Sequence, residues 1–285
     1  MTKDNKPEDI WERLDRIPRH VFYTLLLGLM IVSLLVPLGL PIKVGAATRK
    51  FYDIVDAVPN DGVVVFDISF SPGADPELGP QFTAILHHVF SKPVRVLFTV
   101  FVQDGQMMLQ IYLDRLKPET YGKVYGKDWV NFGYRAGGIS AMAELAKDMT
   151  FFKTDYKGTP LSELAVMKGV KDYRDVSLII TVTTASGGLS SPEDWVQQWA
   201  TPYKTPLLVA MLKMMIPNTL PYFEAGQVKA YMGGTDQAAE YELLVERPGK
   251  GLAYTDALTN VHLLVIAFVI LGNVGYLVRQ RRKKP

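Results

Sequence analysis

The chain has 285 residues, a formal net charge of +2 and no cysteine. So balanced a charge leaves no electrostatic footprint for nucleic acid, and the lack of cysteine excludes disulfides and thiolate metal ligands. Two uncharged apolar stretches, residues 21–41 and 258–278, leave on the order of 215 residues between them, enough for one sizeable domain.

Residues 1–20 predict a cytoplasmic amphipathic segment at the membrane surface, with Trp11, Leu14 and Ile17 on one face and Pro18 interrupting it. Residues 21–41 (VFYTLLLGLMIVSLLVPLGLP) then have the length of about 20 residues that a transmembrane helix needs. Arg13, Arg16 and Arg19 precede this stretch, and Arg279, Arg281, Arg282, Lys283 and Lys284 follow the second one. By the positive-inside rule both termini are cytoplasmic and the domain between the spans is extracytoplasmic. Lys43, Arg49 and Lys50 work against this orientation, but a long loop translocates largely regardless of charge. A cleavable signal ending near Ala46-Ala47 is the competing reading; the apolar run is too long for one.

Between the anchors, residues 43–257 predict an α/β domain with a mostly parallel sheet and helices on both faces, flanked by an N-terminal and a C-terminal transmembrane helix. Helical spacing of Phe51, Ile54, Val55 and Val58 predicts a helix over 48–58. Four short runs rich in Val, Ile and Phe, at 62–70, 94–102, 129–134 and 176–183, predict strands covered on both sides. Helices are predicted over 80–90, 139–149 and 192–199, the last opened by Ser191-Pro192-Glu193-Asp194. Residues 206–216 read equally as a fifth strand or a helix. Residues 222–232 and 235–245 predict two helices split by Gly233-Gly234, leading to the second span, 258–278, and a basic cytoplasmic tail, 279–285.

Ligands of open α/β sheets bind outside the carboxyl ends of the strands. Three loops there are rich in glycine and small polar residues: 69–79, 133–140 and 185–191. Their polar groups make Asp67, Asp75, Glu77, Arg135 and Ser186 the candidate ligand-binding residues. Asp67 is the most telling, since a carboxylate in an apolar strand is costly unless partnered. The loops match neither a dinucleotide fingerprint nor a Walker A pattern, so no cofactor is expected. His87 and His88, about 100° apart on a helix, do not face one metal, and no metal site is expected. Ser186 lacks the nucleophile-elbow pattern, so no catalytic residue is assigned. In the second span Asn273 lies beside Gly272 and Gly275, where another helix would approach closely.

Several segments resemble a group of uncharacterised bacterial and archaeal membrane proteins: Pro37-Leu38-Gly39-Leu40-Pro41, the run from Tyr125 to Tyr134 (YGKDWVNFGY), Gly226-Gln227, and Ala238-Ala239-Glu240-Tyr241-Glu242. That group carries glycine before the Ala-Ala pair, where this chain has Gln237. The resemblance implies the two-span architecture and no activity. It directs attention to Gly226, Gln227, Glu240, Tyr241 and Glu242 as candidate interaction residues. Glu240 and Glu242 cannot face the same way on a helix, which predicts one in solvent and the other packed or paired.

The expected function is a membrane-anchored interaction or scaffold component, more a binding protein than an enzyme. It meets the lipid bilayer and either a second copy of itself or another membrane protein, and not nucleic acid. The alternative is an extracytoplasmic module binding a small molecule at the strand ends, and a third reading is a membrane-tethered hydrolase using the same cleft.

Overall fold

The computed structural model describes residues 17–36, 39–184 and 190–282. The chain divides into two units, Ile42–Leu252 and the terminal segments on either side of it.

In the central unit, chain order gives helix α2 (Ala46–Asp56), strand β1 (Val63–Ser69), α3 (Asp75–Ser91), β2 (Arg95–Val100), α4 (Gln103–Leu116), β3 (Trp129–Tyr134), α5 (Gly138–Lys147) and β4 (Val176–Thr183). Then come α6 (Pro192–Trp195), continued by a π-helical stretch Val196–Ala200, β5 (Leu207–Met211), α7 (Ile216–Glu224), β6 (Ala230–Gly233) and α8 (Gly234–Leu244). The strands form one sheet in the order β3-β2-β1-β4-β5-β6, with every pairing parallel. This is the order of a doubly wound sheet built from two βαβαβ halves, and its direction reverses between β1 and β4.

The sheet is buried on both faces, so its strands read as nearly continuous apolar runs rather than alternations. Val64, Phe66 and Ile68 of β1 pack with α2, α3, α4 and α8 on one side, around Phe82, Phe90, Phe98 and Tyr241. Val63 and Val65 pack on the other side with α5, α6 and the π-helical stretch, around Met142, Leu145, Trp195 and Trp199. Each fully buried aliphatic or phenyl side chain there stabilises the fold by about 2–3 kcal/mol. The acidic first turn at Ser191 folds as expected: its hydroxyl accepts the Asp194 N–H at 3.3 Å, and Asp194 accepts the Ser191 N–H at 3.1 Å.

The four expected strands are present, and residues 206–216 resolve into β5 followed by the start of α7. Two expectations are corrected. The helix expected over 222–232 is the end of α7, a turn at Gly226 with φ +70°, and the edge strand β6. The helix expected over 80–90 begins five residues earlier, at Asp75, because Pro76 occupies a first-turn position that needs no N–H. α4 gave no signal that sequence reasoning used.

The terminal unit holds α1 (Arg19–Leu35) and the apolar part of α9 (Lys250–Arg282). α1 has 17 residues and does not continue to Pro41. Gly39 turns to φ +63°, and Gly39 and Leu40 donate their N–H groups to the Asp256 carboxylate at 2.8 and 3.3 Å instead of to a helix. Among the described residues one helix, Lys250–Val278, is long and apolar enough to cross a membrane. α1 and α9 pair antiparallel: Asn260 donates to the Ser33 hydroxyl at 2.9 Å, and Phe22 meets Phe268 edge-on at 5.0 Å.

Candidate functional site

The chain reversal between β1 and β4 places Asp67 near the carboxyl end of β1, on the face packed by α6. Its Oδ2 accepts four hydrogen bonds: from the hydroxyls of Ser190 (2.7 Å), Ser69 (2.9 Å) and Thr181 (2.9 Å), and from the Trp195 indole N–H (3.3 Å). Its Oδ1 is buried with no partner among the described residues. Burial pushes the carboxyl up to about 6, against the pull of the four donors. Asp67 is therefore a tie between β1, β4 and the start of α6, sealed from the solvent side of the strand ends.

A cleft of about 440 Å³ opens above those ends, lined by Ser71, Gly73, Glu77, Thr184 and Leu212 among others. Of the candidate ligand residues it holds Glu77, whose Oε1 accepts the Lys213 N–H at 2.5 Å. Asp75 turns to the Tyr112 hydroxyl. Arg135, at the end of β3, donates to the carbonyls of Phe132 (2.7 Å) and Thr154 and stacks its guanidinium 5.1 Å from the Phe152 ring centroid. Ser186 and most of the 185–191 loop lie outside the described residues. The candidates thus do not form one constellation: Glu77 faces the cleft, while Asp67, Asp75 and Arg135 hold elements of the fold together. Among the described residues no group of three histidine, aspartate or glutamate side chains converges to hold a metal ion.

The candidate interaction residues fall into two places. Gly226 ends α7, and Gln227 donates to the Thr201 hydroxyl at 2.8 Å. Glu240, Tyr241 and Glu242 lie on α8. Glu240 is half-buried and accepts the Gly45 N–H at 3.0 Å and the Thr48 hydroxyl at 2.5 Å, capping α2. Glu242 is buried and accepts the N–H groups of Gly249 (3.0 Å), Gly251 (2.8 Å) and Leu252 (2.9 Å), capping α9. Burial pushes the Glu242 carboxyl above its ordinary value, while these three backbone N–H groups pull the other way. The expectation that one of the two glutamates meets solvent is corrected: both cap helices, because a carboxylate beside an N-terminus meets its orphan N–H groups and the positive end of its dipole.

Tyr241 lies between them, fully buried, and donates to His88 Nδ1 at 2.8 Å; the other imidazole nitrogen faces Asp56 at 3.5 Å, and Tyr52 stacks on the ring at 4.4 Å. Gln237 accepts the Gly233 N–H at 2.6 Å and secures the turn from β6 into α8. Asn273 is exposed and donates to the Val269 carbonyl of its own helix at 2.8 Å. Sequence reasoning missed Asp256, a carboxylate just ahead of the second apolar stretch, and its position there was the signal. No protein-family model, curated protein or solved structure matches this chain.

Proposed function

We propose that the chain is a two-pass membrane protein of the kind it resembles, with both termini in the cytoplasm and an extracytoplasmic α/β domain that docks a partner or a second copy at the membrane. The observation that carries this reading is the surface of the paired helices. α1 exposes Leu27, Met30, Ile31 and Leu35, and α9 exposes Leu263, Ile266, Val269 and Ile270, so that apolar side chains surround a pair whose polar groups, Asn260 and Ser33, are turned inward. Such a surface is suited to lipid or to another apolar helix and unsuited to water. At about 1.5 Å per residue α1 is about 25 Å long, short of a hydrocarbon core of about 30 Å. In this proposal the chain beyond α1 completes the crossing, and Asp256 satisfies the N–H groups of Gly39 and Leu40 as a membrane environment demands.

Because the chain has no cysteine, single substitutions report topology cleanly. Lys127→Cys should react with a membrane-impermeant maleimide in intact cells, and Arg281→Cys only after the membrane is opened. The reverse pattern removes the extracytoplasmic assignment. Native mass spectrometry of gently extracted protein tests self-association: multiples of the chain mass support it, and a lone monomer over a wide concentration range removes it.

A second reading is favoured by the cleft at the reversal between β1 and β4. There Glu77, Ser71 and Thr184 would take a small polar ligand. Its test is loss of ligand-induced thermal stabilisation in Thr184→Val, a shape-conserving change.

A further inference from the structure

A cavity of about 670 Å³ lies at the amino ends of the strands, away from the cleft above β1 and β4. Its walls come from the start of β3, the end of α4 and the segment that follows α5. Three aromatic side chains line it, Tyr125, Trp129 and Tyr156, together with Asn131, Lys117 and Glu119.

One buried donor in this wall has no partner among the described residues. Trp129 is 8% exposed, and its indole N–H is buried and unpaired. Asn131 beside it is 2% exposed, and its Oδ1 accepts the Gly133 N–H at 2.7 Å. Buried donors are almost always paired, with protein, water or ligand, so an unpaired one in the wall of a cavity marks a place that something else completes.

The wall is built rather than incidental. The Tyr125 hydroxyl donates to Asp155 at 2.7 Å, while the Lys157 ammonium sits 3.7 Å from the Tyr125 ring centroid. The other oxygen of Asp155 accepts the N–H groups of Lys157 and Thr159, both at 2.8 Å, which closes a tight turn. That turn holds Tyr156, whose N–H donates to the Asn131 carbonyl at 2.8 Å, with the residue 55% exposed. A surface fixed in advance loses less entropy on binding.

The polar groups of the wall select the ligand class. Donors from Trp129, Asn131 and Lys117 stand with acceptors from Glu119 and Asp114. An anion would face both carboxylates, and a cation would face Lys117 and Lys157. A hydroxyl both donates and accepts, so a neutral polyhydroxylated ring satisfies both sets, and its C–H face suits an aromatic ring. A volume of this size is that of small-molecule sites generally, about 300–1,000 Å³. We propose that this cavity binds a neutral saccharide of one or two rings. The proposal stands independently of the membrane anchoring and of the strand-end cleft.

The test uses the full-length chain in lauryldimethylamine oxide, since maltoside and glucoside detergents are themselves ligands of the proposed class. Glucose, galactose, N-acetylglucosamine, maltose and diacetylchitobiose are titrated against tryptophan fluorescence and thermal stability, with inorganic phosphate as the anionic probe. At least one sugar should bind saturably, with a Kd on the order of millimolar, and phosphate should not. Tyr156→Ala should weaken that affinity by about tenfold and Trp129→Phe by roughly fivefold, from lost stacking and a lost hydrogen bond. Tyr156 is exposed enough that its variant folds, so the outcome does not hang on Trp129 alone. The proposal is overturned if no sugar binds up to about 50 mM, if Tyr156→Ala binds as tightly as the parent, or if phosphate stabilises the chain as the sugars do.

Discussion

Glu240 and Glu242 stand two residues apart on α8 and cap two different helices, α2 and α9. The two caps are unequal. Glu240 is half-buried and holds one N–H and one hydroxyl, whereas Glu242 is buried and holds three N–H groups. Glu242→Ala should therefore destabilise the domain by about 3 kcal/mol, because it orphans buried donors, and Glu240→Ala by about 1 kcal/mol, an ordinary cap loss. Thermal or denaturant midpoints in detergent give the ranking; equal losses would show that burial does not separate the two caps. Gly251 belongs to the same joint, since a β-carbon there would meet the Ala239 nitrogen at 2.8 Å and the Ala238 carbonyl carbon at 3.0 Å. Gly251→Ala should cost about 2 kcal/mol by overpacking.

Asp67 should make stability depend on pH in the direction opposite to ordinary surface carboxylates. Its carboxyl sits at about 6 in the folded chain against an ordinary 3.8. Between those values the folded state holds a proton that the unfolded state has released, so stability falls as pH rises from about 4 to about 6 and levels off above that. The gap corresponds to about 3 kcal/mol. Asp67→Asn keeps an oxygen for the four donors and removes the ionisation. The difference in melting temperature between parent and variant should favour the variant at pH 7 and shrink toward pH 4. A constant difference across that range would mean that Asp67 stays ionised throughout.

The buried His88 runs the other way. Burial is the largest influence on it and holds its pKa below the ordinary 6.5, although Asp56 pulls upward. The unfolded chain therefore takes up a proton that the folded chain refuses, and this group's contribution is lost as pH falls through 6.5. Tyr241→Phe leaves the Nδ1 acceptor unpaired inside the core and should cost about 1–2 kcal/mol at pH 8. A loss below about 0.5 kcal/mol in a denaturant titration would show that the bond adds nothing beyond packing.

Strands β1, β2 and β4 were legible in the sequence as short apolar runs, whereas β5, buried at every position, was not separable from a helix because its apolar run continues past it. The runs at residues 62–70, 94–102 and 176–183 leave no polar side to solvent. β6 was not legible: its four residues, Ala230–Gly233, are too few to set a period, and the apolar residues on either side mimic a helix. Asp67 was legible as an anomaly, a carboxylate in an apolar strand, but its role was not. The serines, the threonine and the tryptophan that surround it come from positions up to 128 residues away, and no local pattern announces them. For the same reason Asp75, Glu77 and Arg135, grouped by their loops, separate in space. Trp129 and Asn131, inside a run read simply as strand, line a cavity that only the packing of α4 and the segment after α5 creates.

The helix pair offers a ranking that separates an interhelical hydrogen bond from a cap. Asn260 and Ser33 are both buried and share one bond of 2.9 Å, and interhelical bonds of this type contribute only about 0.6 kcal/mol on average. Asp256 is 1% exposed and takes two backbone N–H groups, from Gly39 and Leu40, that have no helical acceptor. Its removal strands both donors, at about 2–3 kcal/mol. Asp256→Ala should therefore lower the melting temperature in detergent several times more than Asn260→Ala does. Ser33→Ala should match Asn260→Ala, since each removes the same bond. If Asn260→Ala proves the more damaging, the pair is held by the bond between the helices rather than by the Asp256 cap on the chain leaving α1.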